Sequence, residues 1–229
     1  MTGIPKRPLG RTGLQTTLIG FGALEIGRDW GVGTPPERRR PGEAEAGETI
    51  RCVLGLGINV IDTASAYHRS EERVGLFTRE RRNEFILATK CGEHNREPDT
   101  YYDFSYGAVR DSIGTSLRLL QTPVIDILQI HFGPDPDKVL DDGGCVRAMK
   151  EARAAGLVRF LGASVNGKVL DRCIESGDFD VVQVGYSLLN QAEVDRIATA
   201  RARGIGVLIR SGLRESIGGR YGSSMTPCR

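Results

Sequence analysis

Four side chains that could move a proton occur at the ends of short apolar segments. Asp62, Lys90 and His131 each end such a segment, and Tyr67 follows shortly after Asp62. A buried ammonium needs a counter-charge, which Asp62 could supply to Lys90. The same ammonium would favour the phenolate of Tyr67, which could then deliver a proton to a carbonyl oxygen and recover it in reverse. His131 could polarise that oxygen through a hydrogen bond, so the four residues suit carbonyl chemistry.

Each of these residues also has a simpler interpretation when taken alone. An Asp after a strand is usually a helix cap, a Lys at a strand end usually extends to water, and a single His is usually a satisfied polar residue. Four of them on successive strand ends are a much stronger signal. Cys91, His94 and His131 form a weaker candidate metal site, and we expect no metal. His68, beside Tyr67, is interpreted as a solvated loop residue.

The elements that must position these residues alternate along the chain. Short, continuously apolar segments are typical of parallel strands buried on both faces, and strict strand-helix alternation predicts right-handed crossovers. The glycine-rich and proline-rich segment 27–42 and the segment 91–104 are predicted loops. The predicted strands are 18–22, 59–62, 85–90, 125–131, 158–164, 180–184 and 206–210. The predicted helices are 43–56, a helix starting at Ser70, 105–120, about 143–155, about 167–176 and about 190–203.

Seven such units without a glycine-rich phosphate fingerprint favour a (β/α)8 TIM-barrel type of α/β fold over a doubly wound sheet. A complete barrel typically needs ~250 residues, and the chain has 229. We therefore expect one domain over residues 1–229, a barrel with seven recognisable strands that lacks its eighth βα unit. The segment 7–14 carries two glycines and predicts a tight β-hairpin. In a barrel, the carboxyl ends of the strands form the active-site face.

Composition narrows the classes of partner and location. Lys and Arg number 31 and Asp and Glu 29, a net charge of +2 that is too balanced to predict binding to nucleic acid or an anionic membrane. No apolar run approaches the ~20 residues that span a bilayer, and no apolar region follows the basic N-terminus. Five cysteines without a C-x-x-C motif predict reduced thiols. We therefore expect a cytoplasmic protein.

The order of motifs resembles one known family. The sequence DTASAY at 62–67, followed by SEERVG at 70–75, resembles the first signature of the aldo-keto reductases. The remaining similar segments, in the family's order, are the opening hairpin that plugs the barrel bottom (RPLGRTG, 7–13), the lysine strand (ATK, 88–90), the histidine strand (QIH, 129–131) and the sixth strand with its loop (VQVGYSLLN, 182–190).

The resemblance implies an oxidoreductase that uses NADPH to reduce an aldehyde or ketone to an alcohol. Tyr67 would donate the proton, Lys90 and Asp62 would tune it, and His131 would orient the carbonyl. Arg210 lies where the family packs a residue on the nicotinamide ring, while Phe132 and Trp30 are candidates for the substrate pocket wall. The cofactor-binding residues implied are Gly22, Asp62, Ser164, Gln183, Arg210, Ser211 and Leu213.

The resemblance ends near Tyr221, before the family's eighth strand and its C-terminal loop. The family's residues that grip the adenosine lie in that later part, so we expect NADPH binding to be weak or absent. The gap between the first and seventh strands would be covered by the tail, covered by a second protomer in a homo-oligomer, or left as a cleft. Two alternatives follow: a cofactor-independent dehydratase, lyase or isomerase on the same four residues, and a non-catalytic truncated barrel.

Overall fold

The structure, a computed structural model, describes residues 3–29 and 39–212. Trp30 and Leu213 lie outside the described residues. The strands are β1 (Lys6–Pro8), β2 (Gln15–Thr17), β3 (Phe21–Gly22), β4 (Val60–Asp62), β5 (Ile86–Cys91), β6 (Glu93–Arg96), β7 (Asp99–Tyr102), β8 (Ile125–His131), β9 (Val158–Ser164), β10 (Val181–Gly185) and β11 (Gly206–Arg210). The α-helices are α1 (Glu43–Gly55), α2 (Ser70–Thr78), α3 (Tyr106–Leu119), α4 (Pro136–Asp142), α5 (Gly144–Ala154), α6 (Lys168–Ser176) and α7 (Val194–Ala202).

A single parallel sheet carries the predicted strands in chain order. Its order is β3-β4-β5-β8-β9-β10-β11, and every neighbouring pair is parallel. The sheet curls into a seven-stranded part of a (β/α)8 barrel, which confirms the predicted fold class. Among residues 3–29 and 39–212, β3 and β11 each have one neighbouring strand and form the two edges.

The strands separate the apolar side chains into two cores. The larger one lies between the sheet and its helices and includes Leu87, Leu128 and Leu161. The smaller one lies inside the barrel and includes Ile86, Ala88, Ile127 and Val181. Successive side chains of a strand point to opposite faces, so every second residue faces the interior. Beyond the apolar residues, toward the carboxyl end of each strand, these interior side chains are polar. The interior polar residues are Asp62, Lys90, Gln129, His131, Ser164, Gln183 and Arg210.

The β1–β2 hairpin closes the amino-terminal end of the barrel, as predicted. Leu9 and Leu14 pack with the interior apolar residues. The backbone N–H of Arg11 donates to the carbonyl of Gly204, 2.6 Å away. The hairpin is therefore attached to the loop that leads into β11, while the carboxyl ends of the strands stay open.

The fold differs from the sequence predictions in three places. The predicted loop 91–104 contains the antiparallel hairpin β6–β7, and the first sheet strand is only Phe21–Gly22. A separate helix, α4, precedes α5. The hairpin has exposed polar residues at its tip and α4 is short, so neither has the buried apolar run that marks the other elements.

The structure gives the state of four of the five cysteines. Cys91, Cys145 and Cys173 are buried free thiols. Cys52 is disulfide-bonded, so the prediction of five reduced thiols is wrong at that position. No helix within the described ranges is long and apolar enough to cross a bilayer.

Candidate active site

An ion pair between a buried lysine and a partly exposed aspartate lies at the centre of the interior polar residues. Lys90 on β5 is 1% exposed, and its Nζ lies 2.7 Å from Oδ2 of Asp62 at the end of β4. The same Nζ donates to the carbonyl of Thr63 at 2.8 Å, and Gln129 Nε2 donates to the other oxygen of Asp62 at 3.1 Å. Burial lowers the pKa of Lys90, but the charges of Asp62 and Tyr67 outweigh it and leave this pKa raised. The ammonium is therefore held charged.

Tyr67 and His131 stand beside this ion pair. Lys90 Nζ lies 5.1 Å from the centre of the Tyr67 ring, and the rings of Tyr67 and His131 meet edge to face at 5.9 Å. The loop carrying Tyr67 is tied to the end of β5, because the Ser65 N–H donates to the carbonyl of Lys90 at 3.3 Å. The structure thus brings together all four residues in which the sequence predicts proton chemistry.

One cavity of about 1050 Å³ is lined by these four residues. The same cavity is lined by six of the seven residues predicted to bind a cofactor, and by Phe132, a predicted pocket-wall residue. Ser164 Oγ donates to Gln183 Oε1 at 3.1 Å, which fixes the orientation of the Gln183 amide. The six are Gly22, Asp62, Ser164, Gln183, Arg210 and Ser211.

Arg210 is held at the edge of the cavity by a residue that the sequence analysis did not single out. Its Nη2 donates to Asn166 Oδ1 at 2.6 Å. Asn166 also donates to the carbonyl of Gly185 and accepts from its N–H, both at 3.1 Å. Asn166 therefore links the loop between β9 and α6 to the end of β10 and orients the guanidinium of Arg210.

Two more site residues were missed by the sequence analysis. Gln129 is polar within the apolar strand β8, two residues before His131, and this alternation was an available signal. Glu93 lies in a segment predicted as a loop, where no pattern marked it. Its Oε2 is 2.9 Å from Nδ1 of His131, its Oε1 accepts from Thr100 Oγ1 at 2.6 Å, and Arg28 Nη1 lies 3.6 Å from Oε1. Burial raises the pKa of Glu93, but the hydrogen bonds and charges of these partners have the larger effect. The pKa of Glu93 is therefore lowered overall.

Two other histidines have different surroundings. His68 is 5% exposed with φ +46°, so the interpretation as a solvated residue is wrong, and burial lowers its pKa. His94 Nε2 lies 2.8 Å from the carbonyl of Asp103, and its ring stacks on Tyr101. Across the described ranges, no three His, Cys, Asp or Glu side chains are arranged to hold a metal ion.

Comparison with known proteins identifies the family to which the chain belongs. A family model described as the Aldo/keto reductase family matches residues 18–217. The chain belongs to the aldo-keto reductase family. It is 32% identical to L-galactose dehydrogenase of Arabidopsis thaliana over 93% of this chain, and 28% identical to NADH-specific methylglyoxal reductase of Escherichia coli, also over 93%. It spans 66% of the length of the first relative, just under two thirds, and 68% of the second.

Solved structures of aldo-keto reductases share the fold. The holo form of an enzyme from Bacillus halodurans matches with a TM-score of 0.81 and 28% identity, covering 96% of this chain and 70% of that one. The glycerol dehydrogenase of Gluconobacter oxydans matches with a TM-score of 0.73 and 27% identity, covering 94% of this chain and 65% of that one. The chain is therefore an aldo-keto reductase family member with the family's barrel architecture, and its homologues include dehydrogenases and reductases.

Proposed function

We propose that the protein reduces an aldehyde or ketone of a small molecule to the alcohol, with NADPH as the reductant. The observation that carries this proposal is the ion pair of buried Lys90 with Asp62 beside Tyr67, with His131 on the wall of the same cavity. The Tyr67 phenol can act as a proton donor to a molecule in this cavity. The buried Lys90 ammonium and the His131 imidazole can stabilise the charges that form. The relatives named above are a dehydrogenase and a reductase, which agrees with this class of reaction.

The proton step uses the residues of the ion pair. The Tyr67 hydroxyl gives its proton to the substrate oxygen as the carbon is reduced, and the charged Lys90 stabilises the phenolate that remains. Asp62 keeps Lys90 charged and in place, and Gln129 fixes Asp62 through its second oxygen. His131 hydrogen-bonds the substrate oxygen and stabilises the charge that develops there. In the reverse reaction, the Tyr67 phenolate takes the proton of the alcohol.

The cavity wall beyond this centre suits the nicotinamide end of a dinucleotide. Ser164 and Gln183 are buried polar residues on that wall, and their hydroxyl and amide can hydrogen-bond a carboxamide. Gly22 has open space where a side chain would lie, and Arg210 presents a planar group at the rim. When bound, the reduced nicotinamide supplies the hydride.

The first experiment measures oxidation of NADPH and of NADH by the full chain with a series of small aldehydes and ketones. Tyr67→Phe should lower kcat by about 100-fold or more, because it removes the proton donor. Tyr106→Phe is the matched control: this tyrosine is on α3 and bonds Glu151, outside the cavity, so the variant should keep wild-type turnover. Full activity in Tyr67→Phe would contradict the proposed role.

Cofactor binding distinguishes the proposal from its alternatives. Binding of NADPH, measured by its fluorescence, supports the reductase. Without binding of either nucleotide, a Tyr67-dependent dehydration, elimination or isomerisation next to a carbonyl would instead identify a proton-transfer enzyme. A chain with no Tyr67-dependent activity and no nucleotide binding would be non-catalytic.

We also propose a cytoplasmic location, which the free thiols of Cys91, Cys145 and Cys173 support although Cys52 is paired. We further propose a single-domain protein in which a second copy of the chain covers the β3 and β11 edges. Unpaired strand edges offer free backbone groups for pairing. Ile209 on β11 is 47% exposed, which favours a covered edge. Light scattering after size exclusion should show a homo-oligomer, and a stable monomer would contradict this arrangement.

A further inference from the structure

We propose that Glu93 is a positioning residue for His131: its buried carboxylate keeps the proton on Nδ1 and turns Nε2 toward the substrate oxygen. This inference deepens the proposed function and rests on it. It concerns the orientation and the protonation state of the His131 ring, which family membership does not specify.

The distance between the two side chains carries the first step. His131 Nδ1 lies 2.9 Å from Glu93 Oε2, and the Glu93 side chain is only 7% exposed. The contact is a short ion-pair distance and not a well-aligned hydrogen bond, and Nδ1 has no other partner among the described residues. An unprotonated Nδ1 would place two electron-rich atoms 2.9 Å apart in a largely buried site. A proton on Nδ1 turns that repulsion into a charge-assisted attraction. The partner of one imidazole nitrogen determines how the other nitrogen can act. With Nδ1 facing Glu93, Nε2 is the nitrogen that faces the cavity.

The carboxylate is itself held in place from several elements. Thr100 on β7 donates to Oε1 at 2.6 Å, and Arg28 lies 3.6 Å from the same oxygen. Ser65, in the loop of Tyr67, donates to the backbone carbonyl of Glu93 at 2.6 Å. Gly92 has φ +96°, and a Cβ there would lie 2.3 Å from the Phe104 ring. The backbone before Glu93 can therefore follow this path only with glycine.

Other charges near the pair act in the same direction. Arg28 is the cation that faces Glu93, and together with His131 it lowers the pKa of the carboxyl against the effect of burial. Tyr102 of β7 also faces Glu93, and burial, followed by the negative charge of Glu93, raises the pKa of this phenol. The carboxylate therefore stays ionised beside a neutral phenol, and its charge is directed at His131 and Arg28.

The chemical consequence is a defined role for Nε2 in each direction. With Nδ1 protonated, a second proton on Nε2 makes an imidazolium that is paired with Glu93 and donates to the carbonyl oxygen during reduction. Nε2 keeps this proton in both directions, because Tyr67 gives the transferred proton in reduction and takes it back in oxidation. Without the carboxylate, a neutral ring with its proton on Nε2 would offer only an uncharged hydrogen bond, about half as strong.

The test replaces Glu93 by glutamine, which keeps the shape and loses the charge. The protein has three histidines, so ¹⁵N spectra of histidine-labelled protein are simple, and the His131→Ala spectrum assigns the signal. In the wild type, Nδ1 of His131 should be protonated. In Glu93→Gln the side-chain amide can donate to Nδ1, and the proton should move to Nε2. The kcat for carbonyl reduction should fall by about tenfold with KM nearly unchanged, because a charge-assisted bond becomes a neutral one.

Thr100→Val separates positioning of His131 from support of the β6–β7 hairpin. This variant removes the hydrogen bond to Oε1 but leaves the carboxylate against His131, so the Nδ1 proton should remain. An identical His131 tautomer in wild type and Glu93→Gln, or an equal fall of kcat in both variants, would overturn the inference. The spectra need neither nucleotide nor substrate, so they decide the role of Glu93 even if the proposed reductase activity fails.

Discussion

At the scale of single residues, a buried ionisable side chain lies on each of the two faces of strand β5. Lys90 points into the barrel and is paired with Asp62. On the opposite face, Thr89 donates to Glu71 of α2 at 2.6 Å, and Ser116 of α3 donates to the other oxygen at 3.1 Å. Burial raises the pKa of Glu71 to about 7, although both hydrogen bonds and the charge of Lys90 act to lower it. Lys90 therefore stays charged because it has a counter-ion, Asp62. Among the described residues, Glu71 has no such counter-ion beside it in this network, and its carboxyl ionises only near neutral pH.

Glu71→Gln should therefore change the pH dependence of stability. The folded protein binds the Glu71 proton more tightly than the unfolded chain, since the pKa rises from 4.5 to about 7. The free energy of unfolding consequently falls as pH rises through this range. The variant lacks this loss and should be more stable than wild type at about pH 8, by up to about 3 kcal/mol. Urea unfolding at about pH 4 and pH 8 measures the difference, which should shrink toward the lower pH.

The neighbouring carboxylate provides the control for this prediction. Glu72 is on the exposed side of α2, and hydrogen bonding to Arg69 lowers its pKa. Glu72→Gln should therefore lose a little stability at about pH 8, the opposite sign to Glu71→Gln. A gain of equal size in both variants would show that the effect is not due to burial of Glu71.

At the scale of elements, burial decides which parts of the fold the sequence predicts. The bounds of β8, β9 and β11 agree with the prediction because most residues of each strand are apolar. Ser105, the first residue of the predicted helix 105–120, caps α3, with its Oγ accepting from the Ala108 N–H. The β6–β7 hairpin was missed because its tip is exposed and polar. Glu93, on that hairpin, gains its role only from contact with His131 on another strand, which no local pattern encodes.

The packing of α2 on α3 requires a glycine, and this makes a prediction. A Cβ on Gly75 would lie 2.1 Å from the backbone oxygen of Leu119, whereas a Cβ on Gly114 has no atom within 4 Å. Gly75→Ala should lower the free energy of unfolding by about 2 kcal/mol or more, since the two helices must separate. Gly114→Ala should raise it by up to about 1 kcal/mol through helix propensity. Equal shifts of the urea midpoint would show that helix contact does not decide the effect.

At the scale of the whole molecule, the amino-terminal hairpin joins the two ends of the described sheet. Arg11 bonds the loop before β11 through its backbone, and its side chain reaches Asp180 at the start of β10. Thr17 N–H donates to the side chain of Asn59, just before β4, at 2.7 Å. The hairpin thus bridges the gap between the strands near β3 and those near β11, where the sheet is not closed within residues 3–29 and 39–212. It should hold the seven strands at the curvature on which the active-site geometry depends.

Gly10 and Gly13 test this bridging role, because both have positive φ, +52° and +74°, but only Gly10 touches the barrel. A Cβ on Gly10 would lie 2.3 Å from the backbone nitrogen of Gly206, while Gly13 has open space. Each alanine variant should lose about 1 kcal/mol to backbone strain. Gly10→Ala should lose a further 1–3 kcal/mol, roughly the effect of overpacking, because the hairpin must move away from β11. Amide exchange should then become faster in β11 of Gly10→Ala and stay unchanged in β5, whereas equal exchange in both variants would show that the hairpin does not brace the seventh strand.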